Sequence, residues 1–170
     1  MLEYKNLKKE YEMKLKFVLV PLIILGFSMG SYADGSKDEK SKWITPTQKV
    51  CNTNGGKMDG DTCTANWSDA KNICSASGGR LPSIDELKKI VTDCGGEIED
   101  DNEAEWMRNQ NNSSYQSCYK EKGFTSDGYW SSLIYSSYIG PAWFIVFNNG
   151  HTDFYFKSTN FGVRCMKTGQ

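Results

Sequence analysis

A cysteine in an apolar closing strand has to be tied to something earlier in the chain, and the partner it takes decides which folds remain open. Cys165 sits in such a strand, Gly162-Val163-Arg164-Cys165-Met166, at the end of a stretch that begins at Tyr129. Tyr129-Trp130-Ser131-Ser132 leads through a short polar loop to Ala142-Trp143-Phe144-Ile145-Val146-Phe147. Asn148-Asn149-Gly150 separates that run from Phe154-Tyr155-Phe156. Aromatic and β-branched runs bounded by turn residues read as strands, and Asn149-Gly150 supplies the positive φ angles of a tight hairpin.

Five further cysteines, Cys51, Cys63, Cys74, Cys94 and Cys118, precede Cys165. Six cysteines allow fifteen pairings. All follow a segment with the order of a secretory signal: basic Met13-Lys14-Leu15-Lys16, apolar Phe17 to Phe27, then small residues in Ser31-Tyr32-Ala33. The apolar run falls short of the roughly 18 residues that span a bilayer. The expectation is therefore a signal peptide over residues 1–33, with Met13 as the better start, and a mature chain without a membrane span, placed in the periplasm or outside the cell. An oxidising compartment makes the cysteines a disulfide framework. Zinc needs closely spaced Cys/His pairs, and the only histidine is His151. Losing five Lys and three Glu with residues 1–33 takes the formal charge from −1 to −3, which leaves no electrostatic footprint for nucleic acid.

Residues 34–46 are small, charged and poor in apolar groups, so they read as a flexible leader to one domain over 47–170. Gly55-Gly56 and Asp59-Gly60 mark turns between short extended pieces inside Cys51 to Cys63, and a local bridge there is the simplest pairing. Ser68 is the expected N-cap of a first helix whose Trp67, Ala70, Ile73, Cys74 and Ser77 share a face and which Gly78-Gly79 ends. Ser83 and Glu86 have capping-box spacing before a second helix with Ile84, Leu87, Ile90 and Val91 on its stripe, stopped by Gly95-Gly96. Six carboxylates from Glu97 to Glu105 and the Asn/Ser-rich residues 109–118 read as a long surface excursion. Cys94 paired with Cys118 would close it at its base.

Trp67-Ser68-Asp69-Ala70, Cys74 and Gly78-Gly79-Arg80-Leu81-Pro82-Ser83 resemble the first helix of C-type lectin-like domains and the turn that leaves it. With Glu86-Leu87, Tyr129-Trp130-Ser131-Ser132, Ala142-Trp143, Phe147-Asn148-Asn149-Gly150 and Val163-Arg164-Cys165, the chain resembles a narrower group over roughly Thr62 to Lys167. This group is the Lcl C-terminal domain family, named for a Legionella collagen-like adhesin and related to lectin-like and sulfatase-modifying folds. The resemblance implies an α+β fold, two helices against a small twisted antiparallel sheet. It also implies a bridge from the first helix to the last strand, Cys74 to Cys165, which leaves Cys51–Cys63 and Cys94–Cys118.

Lectin-like domains that hold sugar through calcium use a Glu-Pro-Asn or Gln-Pro-Asp triplet and a Trp-Asn-Asp triplet. Neither occurs here, and the loop before Ala142 carries no carboxylate. Glu97 to Glu105 reads as a solvated charged face. His151, with Asp153 near it, reads as exposed after the hairpin turn and not as part of a catalytic triad. Copper held by reduced cysteines, the chemistry of the sulfatase-modifying relatives, lacks free thiols if all six pair. Arg80, Glu86 and Arg164 recur in the family pattern and read as structural, Glu86 through its cap and Arg164 through buried carbonyls or a carboxylate. Asn66-Trp67-Ser68 and Asn112-Ser113-Ser114 match glycosylation acceptors by chance in a bacterial family.

Period two turns about half of the aromatic residues inward. The remainder, with neighbouring amides, make a candidate ligand face of Tyr135, Tyr138, Trp143, Asn148, Asn149, His151, Tyr155 and Asn160. The function expected is a non-enzymatic binding or adhesion module, free of cofactor and metal. It would recognise a surface glycan, or a host or envelope protein, without calcium. A structural envelope protein with no small ligand is the alternative, ahead of an enzyme related to the oxidases.

Overall fold

The computed structural model describes residues 42–98, 103–135 and 140–169. The expected signal peptide lies outside them. Among the described residues the architecture is mixed α+β, with five helices, two sheets and three disulfides. None of these helices is long and apolar enough to cross a membrane.

Two residues expected in the leader belong to a sheet of the domain. Trp43–Ile44 form strand β1, because Trp43 packs edge-on against Phe124 at 5.1 Å and its backbone pairs with Met166. Helix α1, Gln48–Thr53, carries Cys51. The Cys51–Cys63 bridge therefore ties a helix to the hairpin of β2 (Lys57–Asp59) and β3 (Thr62–Ala65), and does not link two extended pieces.

Helix α2 spans Trp67–Ala76 and buries Ala70, Ile73 and Cys74. Its N-cap is Asn66, whose side chain accepts from Asp69 N at 3.0 Å, and not Ser68. The chain is still extended at Asn66, and Trp67 N is held by Lys157 O, so the helix begins two residues sooner and leaves Ser68 exposed in its first turn. Gly78, at φ +81, releases the chain into β4, Gly79–Arg80. A side chain at Gly79 would collide with the Met166 carbonyl across the pairing with the last strand. Helix α3, Ile84–Asp93, starts on the expected capping box, Ser83 Oγ accepting from Glu86 N and Glu86 Oε2 from Ser83 N.

Residues 103–121 are not a surface excursion. They form α4 (Glu103–Asn111) and α5 (Ser113–Glu121), and bury Glu105, Asn109, Tyr115 and Tyr119. Tyr115 and Tyr119 are one helical turn apart, so they face the same way into the core. The Cys94–Cys118 bridge fastens α5 to the end of α3.

The larger sheet has the order β2-β3-β8-β5-β6-β7, with β5 Gly128–Ile134, β6 Ala142–Val146, β7 Thr152–Tyr155 and β8 Phe161–Gly162. Its pairings are antiparallel except β5 with β8, which is parallel. A small second sheet has β9, Cys165–Lys167, between β1 and β4. Adjacent residues of β5 point to opposite faces. Trp130 enters a cluster with Ile73, Cys74, Phe144 and Val163, and Tyr129 enters one with Leu87, Val91, Tyr115, Ile145 and Phe147. Both clusters are built on one sheet, α2 supplying the first and α3 with α5 the second. Cys74–Cys165 lies buried in the first, the pairing the resemblance implies.

Candidate functional site

The β6–β7 hairpin carries most of the candidate ligand face, and its two ends have different surroundings. Its turn takes four residues, Phe147 to Gly150, and not the tight Asn149-Gly150 pair. Val146 N bonds to His151 O at 2.8 Å and Phe147 is drawn wholly inside. Gly150, the one glycine of the turn, has a positive φ, +77.

Helices α4 and α5 cover this turn end. Asn109 Nδ2 donates to Asn149 O at 2.8 Å, Gln116 Nε2 to Asn148 O at 2.7 Å, and the Tyr115 hydroxyl to Phe147 O. Burial pushes the Tyr115 phenol well above its ordinary range, with the neighbouring Tyr119 adding to the shift. Asn149 Oδ1 accepts from His151 N at 3.0 Å, so one of the three expected amides is engaged in closing the turn. His151 is half-buried, not exposed: its ring lies edge-on to Trp106 with centroids 4.4 Å apart. Its Nε2 is 3.8 Å from Asp153 Oδ2, and its buried Nδ1 meets no partner among the described residues. The acidic stretch is not uniformly solvated either, since Glu105 is buried and pairs with Arg108 at 2.9 Å.

The other end of the hairpin is open. Direct cross-strand partners share a face, and Trp143 pairs with Phe154 while Ala142 pairs with Tyr155. On the first face Phe154 stacks on Tyr135 at 4.1 Å with ring planes 17° apart, and meets the edge of Trp143 at 5.6 Å. On the second, Tyr155 contacts Phe156 at 5.6 Å and Phe161 at 6.2 Å. Because β7 is the edge strand, neither face is fully covered there: Tyr135 is 42% exposed, Phe154 37%, Tyr155 48% and Phe156 71%. Pro141, Asp153, Phe154, Tyr155 and Phe156 border a concavity of about 370 Å³. Asp153 Oδ1 accepts from Phe154 N at 2.7 Å, on the rim of that hollow.

The expected face is thus divided. Tyr135 and Trp143 meet through Phe154, and Tyr155 lies beside them across the strand. Asn148, Asn149 and His151 sit at the turn, separated from Trp143 by about 10 Å of strand at roughly 3.3 Å per residue. Asn160 is exposed on the following loop. Tyr138 lies outside the described residues. Phe154 and Phe156 are the residues the sequence reading left out of the face. Their signal was the unbroken aromatic run 154–156, which suits a strand with little cover on either side.

The family-pattern residues are engaged within the fold. Arg80 donates both terminal nitrogens to Glu86, at 2.8 and 2.7 Å. The Arg80 hydrogen bonds hold the Glu86 carboxyl below its usual range, and Glu86 in turn raises Arg80. Buried Arg164 donates to Lys122 O at 3.1 Å and to Thr45 Oγ1, and lies over the Phe124 ring; burial lowers its pKa. No cysteine is free, and no group of three His, Cys, Asp or Glu among the described residues is placed to hold a metal. The chain matches no protein-family model, and no curated protein matches it.

Proposed function

We propose that this is a binding module of the Lcl C-terminal type, with a compact C-type lectin-like fold, working in the periplasm or outside the cell. It recognises a surface glycan or a host or envelope protein without calcium and performs no catalysis. The observation that carries this reading is the exposed aromatic edge of Phe154, Tyr155 and Phe156 around the 370 Å³ hollow, with exposed Tyr135 stacked on Phe154. Rigid rings offer large contact area at low entropic cost, and interface hot spots favour them. Three disulfides suit an oxidising compartment.

Glycan-array and host-matrix binding, with and without chelator, tests the reading. Phe154→Ala and Tyr155→Ala should each weaken binding about tenfold, an interface hot-spot effect, while shifting thermal midpoints little and leaving chelator without effect. Loss of binding and of stability together would assign the rings to the fold. A blank array with an envelope protein captured instead would favour the structural alternative.

A further inference from the structure

We propose that a second pocket, where α2 faces β4 and β5, binds a small carboxylate with an apolar body. This goes beyond the aromatic edge and stands independently of it. The pocket is about 410 Å³, with Trp67 and Leu81 as apolar walls and Lys71, Ser75, Arg80 and Ser132 as its polar groups. Ligand sites of this kind begin at about 300 Å³, so it accommodates a ligand the size of one amino acid or one sugar.

The walls are preformed. Trp67 Nε1 donates to Ser131 O at 2.8 Å and its backbone N to Lys157 O at 3.0 Å, which fixes the residue at both ring and main chain. Leu81 is buried, and Ser132 N donates to Pro82 O at 2.7 Å. Binding to such a site costs little reorganisation.

The polar groups differ in what they have left to give. Both terminal nitrogens of Arg80 are held by Glu86, so its guanidinium is a fixed, neutralised wall. Lys71, one helical turn after Trp67, rests its ammonium 4.4 Å from the indole centroid and makes no ion pair among the described residues. Lys157 brings a second ammonium to 4.7 Å from the same ring. The Ser75 and Ser132 hydroxyls make no hydrogen bond among the described residues. An anion beside Lys71 gains charge-assisted hydrogen bonds, and the indole takes the ligand's C–H surface. A carboxylate on an aliphatic or saturated-ring body satisfies both. Acylated amino acids and acidic sugars share that chemistry.

Calorimetry and the Trp67 indole N–H resonance, followed during titration of the disulfide-bonded protein, test the site. The probes are N-acetyl-leucine, N-acetyl-leucine amide, galacturonate and sodium sulfate. At least one carboxylate should bind and move the Trp67 signal, with the amide at least about tenfold weaker through loss of one charge-assisted contact, and sulfate at least about tenfold weaker because it has no apolar body to lay against the indole. Which carboxylate binds identifies the source. Lys71→Gln, at an exposed position, should lower that affinity about tenfold at unchanged thermal midpoint, and Phe154→Ala should leave it unaltered. Equal binding of acid and amide, sulfate binding as tightly as the carboxylates, full affinity in K71Q, or no response to any probe would each overturn the proposal.

Discussion

Glu86 serves two neighbours at once, accepting from Ser83 N and from both terminal nitrogens of Arg80. Two substitutions separate these roles. Glu86→Gln keeps a cap acceptor and loses the ion pair, which is partly exposed, so it should cost about 0.5 kcal/mol at neutral pH. Glu86→Ala loses both and should cost about 1–2 kcal/mol. The Glu86 pKa is lowered on folding, so its contribution is present above the ordinary carboxylate value of 4.5 and disappears as pH falls through the folded value. Denaturant midpoints of wild type and E86Q should therefore differ at pH 7 and converge in acid. A gap that persists below pH 3 would remove the ion pair as its cause. The cap was legible because its spacing is local. Asn66 was not, since choosing between it and Ser68 requires knowing that Lys157 O holds Trp67 N.

Helices α4 and α5 show where local pattern gives out. Their sequence is rich in Asn, Ser and acidic residues, weak helix formers in part, and their hydrophobic stripe is narrow. Two signals were nonetheless present, Asn112 as an N-cap that accepts from Tyr115 N and the Tyr115/Tyr119 spacing. What fixes the pair of helices is tertiary: Asn109 bonds to Glu97 N, Glu97 O and Asn149 O, and Tyr115 to Phe147 O. Tyr115→Phe should cost about 1–2 kcal/mol in chemical denaturation by stranding a buried carbonyl. Asn109→Ala should cost about 2–3 kcal/mol, because three backbone groups lose their partner together. Faster amide exchange at His151 in N109A would locate the loosening at the turn. The aromatic edge was half legible for a related reason. Alternation marks which residues share a face, but not that β7 has no neighbour beyond it, and strand order left Phe154 exposed.

At the scale of the molecule, the Cys74–Cys165 bridge spans 91 positions and lies in the core between α2 and β9. Replacing both cysteines with alanine should cost about 4 kcal/mol in the chain-entropy model, read as a fall in denaturant midpoint. A loss below 1 kcal/mol would mean that packing alone closes the domain. The α+β class and the two flanking helices were readable from periodicity and capping. The six-stranded order was not, because β8 returns to lie between β3 and β5, and only long-range packing dictates that. The middle strand of the small sheet has its own consequence. β9 is the last strand to be synthesised, and both strands that flank it, β1 and β4, are made long before it. Neither finds its pairing partner except in β9, so this sheet rests wholly on contacts of long sequence separation, which are slow to form. The small sheet is thus complete only when residues 165–167 lie between strands made more than eighty positions before them.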